Sequence, residues 1–206
     1  MKIIKGEQGT DEWFTDRLGS VGGSSISPIL ADGKGKEKLL NQFFNERISG
    51  KKTKTYKSAD MDMGNEYEPT ARGYYEITRG VDVETVSLIL SDTPGVHVSP
   101  DGLVNPNGGI EIKCRIPSVY REKVQSDSIE IGHVRQCQHF LWIAEREWCD
   151  YINFCPDIYN MEPDDRPKDL KDPMKVVRLF RDEKMIREIR VAVTLFLEKL
   201  NGRLKR

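Results

Sequence analysis

The stretch HVSPDGLVNPNGGIEIKC, residues 97–114, reads as a hairpin. His97-Val98-Ser99 alternates, Pro100-Asp101-Gly102 turns, an Asn-Pro-Asn-Gly-Gly connection follows, and 110–114 alternates again, so two short strands joined by a loop are expected. Strand side chains repeat every second residue. Glu111 and Lys113 therefore share one face, while Ile110, Ile112 and Cys114 fill the other. A carboxylate and an ammonium meet on one surface, and Asp101 folds back toward them.

Working outward, 206 residues are enough for one domain, 1–206, with its own core. A hydrophobic share of 37% against 32% charged residues fits a globular chain, and no apolar run approaches the roughly 20 residues that cross a bilayer. No membrane span is expected. MKIIKGEQGTDEW lacks the apolar core and cleavage site of a signal peptide, so a cytoplasmic, reducing setting is expected. Cys114, Cys137, Cys149 and Cys155 form no CxxC pair and read as buried thiols. The net charge of −1 is uneven: residues 34–57 hold eight basic side chains (Lys34, Lys36, Lys38, Arg47, Lys51, Lys52, Lys54 and Lys57) against Glu37 and Glu46. Such a patch suits nucleic-acid phosphates, and equally a solvated helix face.

Thr10 is placed to cap a helix running to Leu18, with Gly19 as its stop. GGSSISPILADG starts a second, short helix whose N-terminus is rich in hydroxyls and unpaired N–H groups, a ready anion site. Helical spacing marks 36–49 and 58–78, the latter carrying Pro69 as a kink or a restart. Residues 81–90 and 148–154 read as strands, 129–145 as a helix, 156–175 as an extended surface loop, and 183–200 as an amphipathic helix packed on the rest.

Two carboxylates on adjacent strands make an oxygen-rich pocket that suits Mg²⁺ or Mn²⁺ better than zinc, in a chain with only three histidines. A divalent ion polarises a phosphoryl oxygen and acidifies bound water, while a neighbouring lysine orients the water, serves as base if its pKa is depressed, or neutralises developing charge. These are the functions of phosphodiester hydrolysis. Taken alone, E-x-K more often marks a surface pair and Asp101 an ordinary turn residue.

The spacing P-D-x9-E-x-K on strands resembles the PD-(D/E)xK nuclease superfamily, through Pro100-Asp101 and Glu111-Ile112-Lys113. Four ordered blocks resemble the phage lambda exonuclease, or YqaJ-like viral recombinase, family more closely: EWFTDRLGSVGGSSIS, MGNEYEPTARGYYEITRG, SPDGLVNPNGGIEIKC and HVRQCQHFLWI. The match fades beyond about residue 158. It implies an α/β fold, a central mixed sheet flanked by helices around a restriction-endonuclease-like core. It implies Asp101, Glu111 and the Ile112 main-chain carbonyl as metal ligands, Lys113 positioning or activating water, and Glu68 as a helix carboxylate reaching the metals. Gln136 matches an active-site glutamine, with Gln138 as its neighbour. Arg17 and Ser24 match a 5′-phosphate pocket, with Ser25 one position away. Lys51, Lys52 and Lys54 are assigned to DNA.

The resemblance also implies a Mg²⁺-dependent 5′-to-3′ exonuclease on linear double-stranded DNA that releases mononucleotides and leaves a 3′ overhang. A homotrimer ring, a single-strand annealing protein as partner and a phage or prophage recombination role follow from it as well. Rival readings are a PD-(D/E)xK endonuclease, an iron–sulfur CRISPR-type nuclease with four cysteine ligands, and a non-catalytic DNA-end-binding module. His97 and His133 lie near the site in sequence, where lone histidines are more often hydrogen-bonded structure than ligands.

Overall fold

The computed structural model describes residues 1–53 and 59–205. In chain order its elements are β1 (Lys2–Ile4), α1 (Asp11–Asp16), α2 (Ile26–Ala31), α3 (Lys34–Ser49), α4 (Ala59–Arg79), β2 (Val83–Glu84), β3 (Leu88–Leu90) and β4 (His97–Val98). There follow β5 (Gly102–Val104), β6 (Gly108–Cys114), α5 (Pro117–Val124), α6 (Ile131–Ile143), β7 (Trp148–Phe154), α7 (Pro156–Tyr159), β8 (Met174–Phe180) and α8 (Glu183–Leu204). Short 3₁₀ turns occupy Gly23–Ser25 and Pro163–Asp165.

The fold is α/β, as expected: a mixed sheet of order β2-β5-β6-β7-β8 flanked by helices, with a smaller sheet β1-β3-β4 beside it. Only β6 and β7 run parallel within the larger sheet. Parallel neighbours need a crossover, and α5 and α6 supply it. Ala71 and Tyr75 of α4 pack on Ile110, Ile112, Ile152 and Phe154 on one face. On the other, Cys137, Phe140 and Leu141 of α6 cover Leu103, Cys149 and Tyr151, and this core continues into α2, α3 and α8. The buried stripe of α8 is the one its sequence marks, from Ile186 to Leu200, and Asp182 caps the helix by accepting from Lys184 N and Met185 N.

Several elements differ from the reading of the sequence. The partner of β6 is β5, two residues past Pro100, while His97-Val98 belongs to the smaller sheet against β3. Proline has no N–H to donate, so the ladder with β6 starts beyond it, at Gly102. The tight turn at 105–107 is closed by Asn105 in the left-handed region, φ +50°. The strand expected over 81–90 is two strands in different sheets, β2 and β3. The loop expected over 156–175 carries α7 and the start of β8, and buries Ile158 and Leu170 against Tyr120 and Cys155. Helix α4 runs through Pro69 without a break. Its expected start at residue 58 lies outside the described residues. Among the described residues no helix is long and apolar enough to cross a membrane.

Gly109 is where the sheet and α6 approach most closely: an added Cβ would lie 2.3 Å from Phe140 Cζ and 2.9 Å from the Gly102 carbonyl oxygen. Gly109→Ala is expected to cost about 1–3 kcal/mol by overpacking, read as a lowered urea midpoint. An unchanged midpoint would mean that the sheet and helix do not close there.

Candidate active site

The candidate site forms where β5 stops and β6 runs on. Gly102 pairs with Ile110, and continuing that register by two residues sets Pro100 opposite Ile112. Proline offers no N–H to the Ile112 carbonyl, and its own carbonyl accepts from Gln8 Nε2 at 2.9 Å, so Ile112 N donates instead to a side chain, Asp101 Oδ2, at 2.6 Å. An extended residue points its N–H and C=O to the same side, so the Ile112 carbonyl also faces this gap. Glu111, on the opposite face of β6, is buried under α6, where its Oε1 accepts from Lys113 Nζ at 2.5 Å and Gln136 Nε2 at 2.6 Å. From α4, Glu68 lies over the same cavity, and Arg72, one turn on, ties it down: Nη2 donates to Glu68 Oε1 and Nε to the Asp101 carbonyl oxygen at 2.8 Å. The cavity is about 320 Å³.

Three carboxylates crowd around two cations here, and their electrostatics record it. Burial pushes the Asp101 carboxyl well above its ordinary range, and Glu111 and Glu68 push it further. Burial also raises Glu68, against the opposing pull of Arg72. For Lys113 burial alone would lower the ammonium, but Glu111 and Asp101 outweigh it and the net shift is upward. In this arrangement the carboxylates hold Lys113 as an ammonium, a donor with no lone pair. Among the described residues no three His, Cys, Asp or Glu side chains form a ready cluster for a metal ion. The donor set that fits a hard divalent cation is Asp101, Glu111 and the Ile112 carbonyl, with Glu68 turned onto Arg72.

A second cavity, about 280 Å³, adjoins it. Arg17, Ser24 and Lys52 line it, Ser24 exposed and Ser25 mostly buried. Thr10 caps α1 by accepting from Trp13 N, and Trp13 is pinned by donating Nε1 to Ser99 Oγ and the Ser87 carbonyl, both at 3.0 Å. Arg17 stacks over that ring at 3.8 Å, and Lys52 over Phe14 at 3.6 Å. Glu46 also lines the cavity, but its carboxylate accepts from Gly19 N, Thr53 N and Gln42 Nε2. Gly23 stands in the wall between them: a Cβ there would fall 2.9 Å from Cγ of Gln136, which lines the first cavity, so the glycine lets the turn carrying Ser24 rest on the glutamine that holds Glu111.

Of the residues singled out from the sequence, Asp101, Glu111, Ile112, Lys113, Gln136 and Glu68 line one cavity and Arg17 and Ser24 the next. Gln138, the neighbour of Gln136, instead bridges β8 and α8 through the Phe180 carbonyl and Asp182 N. Lys51 is exposed, and Lys54 lies outside the described residues. The basic stretch is partly consumed: Lys36 pairs with Asp32, and Arg47 donates to the Gly19 carbonyl and Asn201. Arg72 and Arg115 were not foreseen. The i,i+4 spacing of Glu68 and Arg72 was the available signal for one, and the continued 111-113-115 alternation for the other. Arg115 lines the cavity of Asp101 and Glu111 and donates to the Tyr151 hydroxyl at 2.9 Å. Cys114, the Cys137–Cys149 pair and Cys155 sit in three separate apolar clusters, so they do not gather around one iron–sulfur cluster.

A family model, the YqaJ-like viral recombinase domain, matches residues 12–147. The chain belongs to this family. It is 30% identical to the crystal structure of the alkaline exonuclease LHK-Exo from Laribacter hongkongensis, with 95% of each chain covered and a TM-score of 0.85. The same exonuclease in complex with dAMP gives 31% identity, 95% coverage of each chain and a TM-score of 0.83. A phage related exonuclease from Haemophilus somnus 129PT shares the fold at 15% identity and a TM-score of 0.66, over 90% of this chain and 95% of the other. No curated protein matches. The family and its exonuclease relatives support a nuclease role for this chain.

The crowding has a thermodynamic signature. A carboxyl raised in the folded chain costs stability as pH rises from its unfolded value near 4 toward the raised value, and nothing below both. In chelator, Asp101→Asn is expected to melt like the wild type at pH 4 and to be more stable than the wild type at pH 8. Equal melting temperatures at pH 8 would contradict the crowding.

Proposed function

We propose that this chain is a divalent-metal-dependent exonuclease that degrades linear duplex DNA from a 5′-phosphorylated end and releases mononucleotides. The observation that carries the reading is the contact between the two cavities across Gly23 and Gln136, which puts a cationic pocket suited to a terminal phosphate beside a carboxylate–lysine centre. A phosphate monoester carries more charge than an internal diester, and Arg17 with the Ser24 hydroxyl offers a fork and a donor to it. Release of mononucleotides requires that the scissile bond be the one that follows the held terminal nucleotide. That LHK-Exo is solved with dAMP agrees with a nucleotide-sized site.

Asp101, Glu111 and the Ile112 carbonyl would hold Mg²⁺, or Mn²⁺ in its place, and Glu68 is the residue that would serve a second ion. The metal supplies Lewis-acid polarisation of the phosphate and a lowered pKa for bound water. Lys113, an ammonium with three donors and no lone pair, holds the attacking water by its oxygen or steadies charge on the phosphate. Gln136 donates to the same Glu111 oxygen as Lys113, and the two donors together orient the carboxylate. Within this reading the surviving strand becomes a 3′ overhang for a single-strand annealing protein in phage-type recombination, the chain works as a homotrimer ring around DNA, and the setting is the bacterial cytoplasm.

Linear duplexes labelled at either end, bearing 5′-phosphate or 5′-hydroxyl, test the reading in Mg²⁺ and in chelator. Nucleotide release should require metal, favour phosphorylated 5′ ends, and fall at least 10²-fold in Lys113→Ala, the scale for losing a preorganised electrostatic donor. Cutting of closed circles would make the chain an endonuclease, and end binding without release would make it a binding module.

Lys51 and Lys52 are assigned to the DNA path ahead of the end pocket. Reversing both charges should lower affinity and reduce the log–log salt slope by about 2, one released counterion per lost phosphate contact. Unchanged affinity and slope would remove them from that path.

A further inference from the structure

His97 closes a hydrogen-bonded ring beside the cationic pocket that the proposed reaction leaves unexplained. Ser20 Oγ donates its single proton to the Arg17 carbonyl at 2.9 Å. At the 2.7 Å contact between Ser20 Oγ and His97 Nδ1 the ring nitrogen must therefore be the donor. That leaves His97 Nε2 as an acceptor, and Arg17 Nε donates to it at 3.1 Å. The ring thus runs from the Arg17 side chain through His97 and Ser20 back to the Arg17 main chain. Its geometry specifies one tautomer of a neutral imidazole.

The surroundings hold that state. Burial pushes the imidazole down to about 3, and neighbouring Arg17 and His139 add to the push. His139, fully buried, fixes the main chain by donating from Nε2 to the His97 carbonyl at 2.8 Å. Gly22 passes directly over the ring: a Cβ there would lie 2.8 Å from Nε2. Any larger residue at 22 would displace either the imidazole or the turn that carries Ser24.

We propose that His97 is a positioning residue for the terminal-phosphate pocket: it fixes the Arg17 guanidinium through Nε, so that the Nη edge is presented to the phosphate. A carboxylate could orient the arginine equally well, but it would neutralise the charge that the phosphate must find and would repel the phosphate itself. A neutral imidazole orients and leaves the charge in place. Trp13 stacks beneath the same guanidinium and adds no anion, and among the described residues no acidic side chain pairs with Arg17. Two contacts, one in the plane and one on the face, define its orientation. This inference rests on the 5′-phosphate reading of the pocket and names the residue that makes it selective.

The test is the ratio of kcat/KM on 5′-phosphorylated over 5′-hydroxyl duplexes, measured for wild type, His97→Asn and His97→Gln. The shorter Asn amide reaches only the Nδ1 position and keeps the bond to Ser20, whereas Gln carries an oxygen to the Nε2 position. The ratio should fall about tenfold in His97→Asn and stay within about twofold of wild type in His97→Gln. An unchanged ratio in His97→Asn overturns the positioning role, while a wild type without any preference overturns the phosphate reading beneath it. Nitrogen-15 spectra of the wild-type chain give a readout that needs no variant. Nδ1 protonated and Nε2 bare at neutral pH is expected, and the reverse tautomer overturns the proposal.

Discussion

The hydrogen bond from Ile112 N to the Asp101 carboxylate is the constraint on which the rest of the structure depends. A strand ladder that meets a proline loses the donor for the facing carbonyl, and with the Pro100 carbonyl taken by Gln8 the facing amide must find another acceptor or be left unpaired at a cost. Here the next side chain accepts from it, so one residue ends β5, keeps β6 in register beyond that end, and plants a carboxylate at the open edge. Because β6 continues through Lys113 while its neighbour has stopped, Glu111, Ile112 and Lys113 have β7 as their only strand partner among the described residues. The site is a gap in a sheet whose far side is still fully paired. Rigidity and access come from the same break.

The same break makes the site unfavourable in isolation. Asp101, Glu111 and Glu68 share a pocket with Lys113 and Arg72, and two of the three carboxyls are pushed up by burial. The surrounding packing offsets this cost: α4 and α6 clamp opposite faces of the sheet, and the glycines at 102, 108 and 109 let neighbouring side chains close on the backbone. A divalent cation would remove the repulsion, so binding and relief of strain would be one event. Gln136 links this centre to the second cavity, where Arg17 is oriented by groups that carry no negative charge. One centre gathers anions; in the other, the Glu46 carboxylate is occupied by Gly19 N, Gln42 Nε2 and Thr53 N and, among the described residues, leaves Arg17 unpaired with any acid.

Much of this was legible in the sequence because the informative residues are close together in it. The Pro-Asp, the E-x-K alternation and the Thr10 cap of α1 are local signals with short range. The α8 stripe and β7 were read correctly for the same reason. What failed was pairing. Nothing in HVSPDG marks that His97-Val98 joins one sheet and Gly102 the other, since both readings alternate equally well, and β8 hid behind a proline-rich charged segment. The roles of Arg72, Arg115 and His97 were equally out of reach: each depends on partners brought from 18 to 80 positions away or on a helical turn whose context only the fold supplies.

The claim that the end pocket and the hydrolytic centre are adjacent across Gly23 and Gln136 is most directly tested by product length. Uniformly labelled, 5′-phosphorylated duplex digested in Mg²⁺ should yield 5′-mononucleotides from the first turnovers, at every extent of digestion. Di- and longer oligonucleotides as primary products would separate the held end from the cut by more than one nucleotide and would contradict the account.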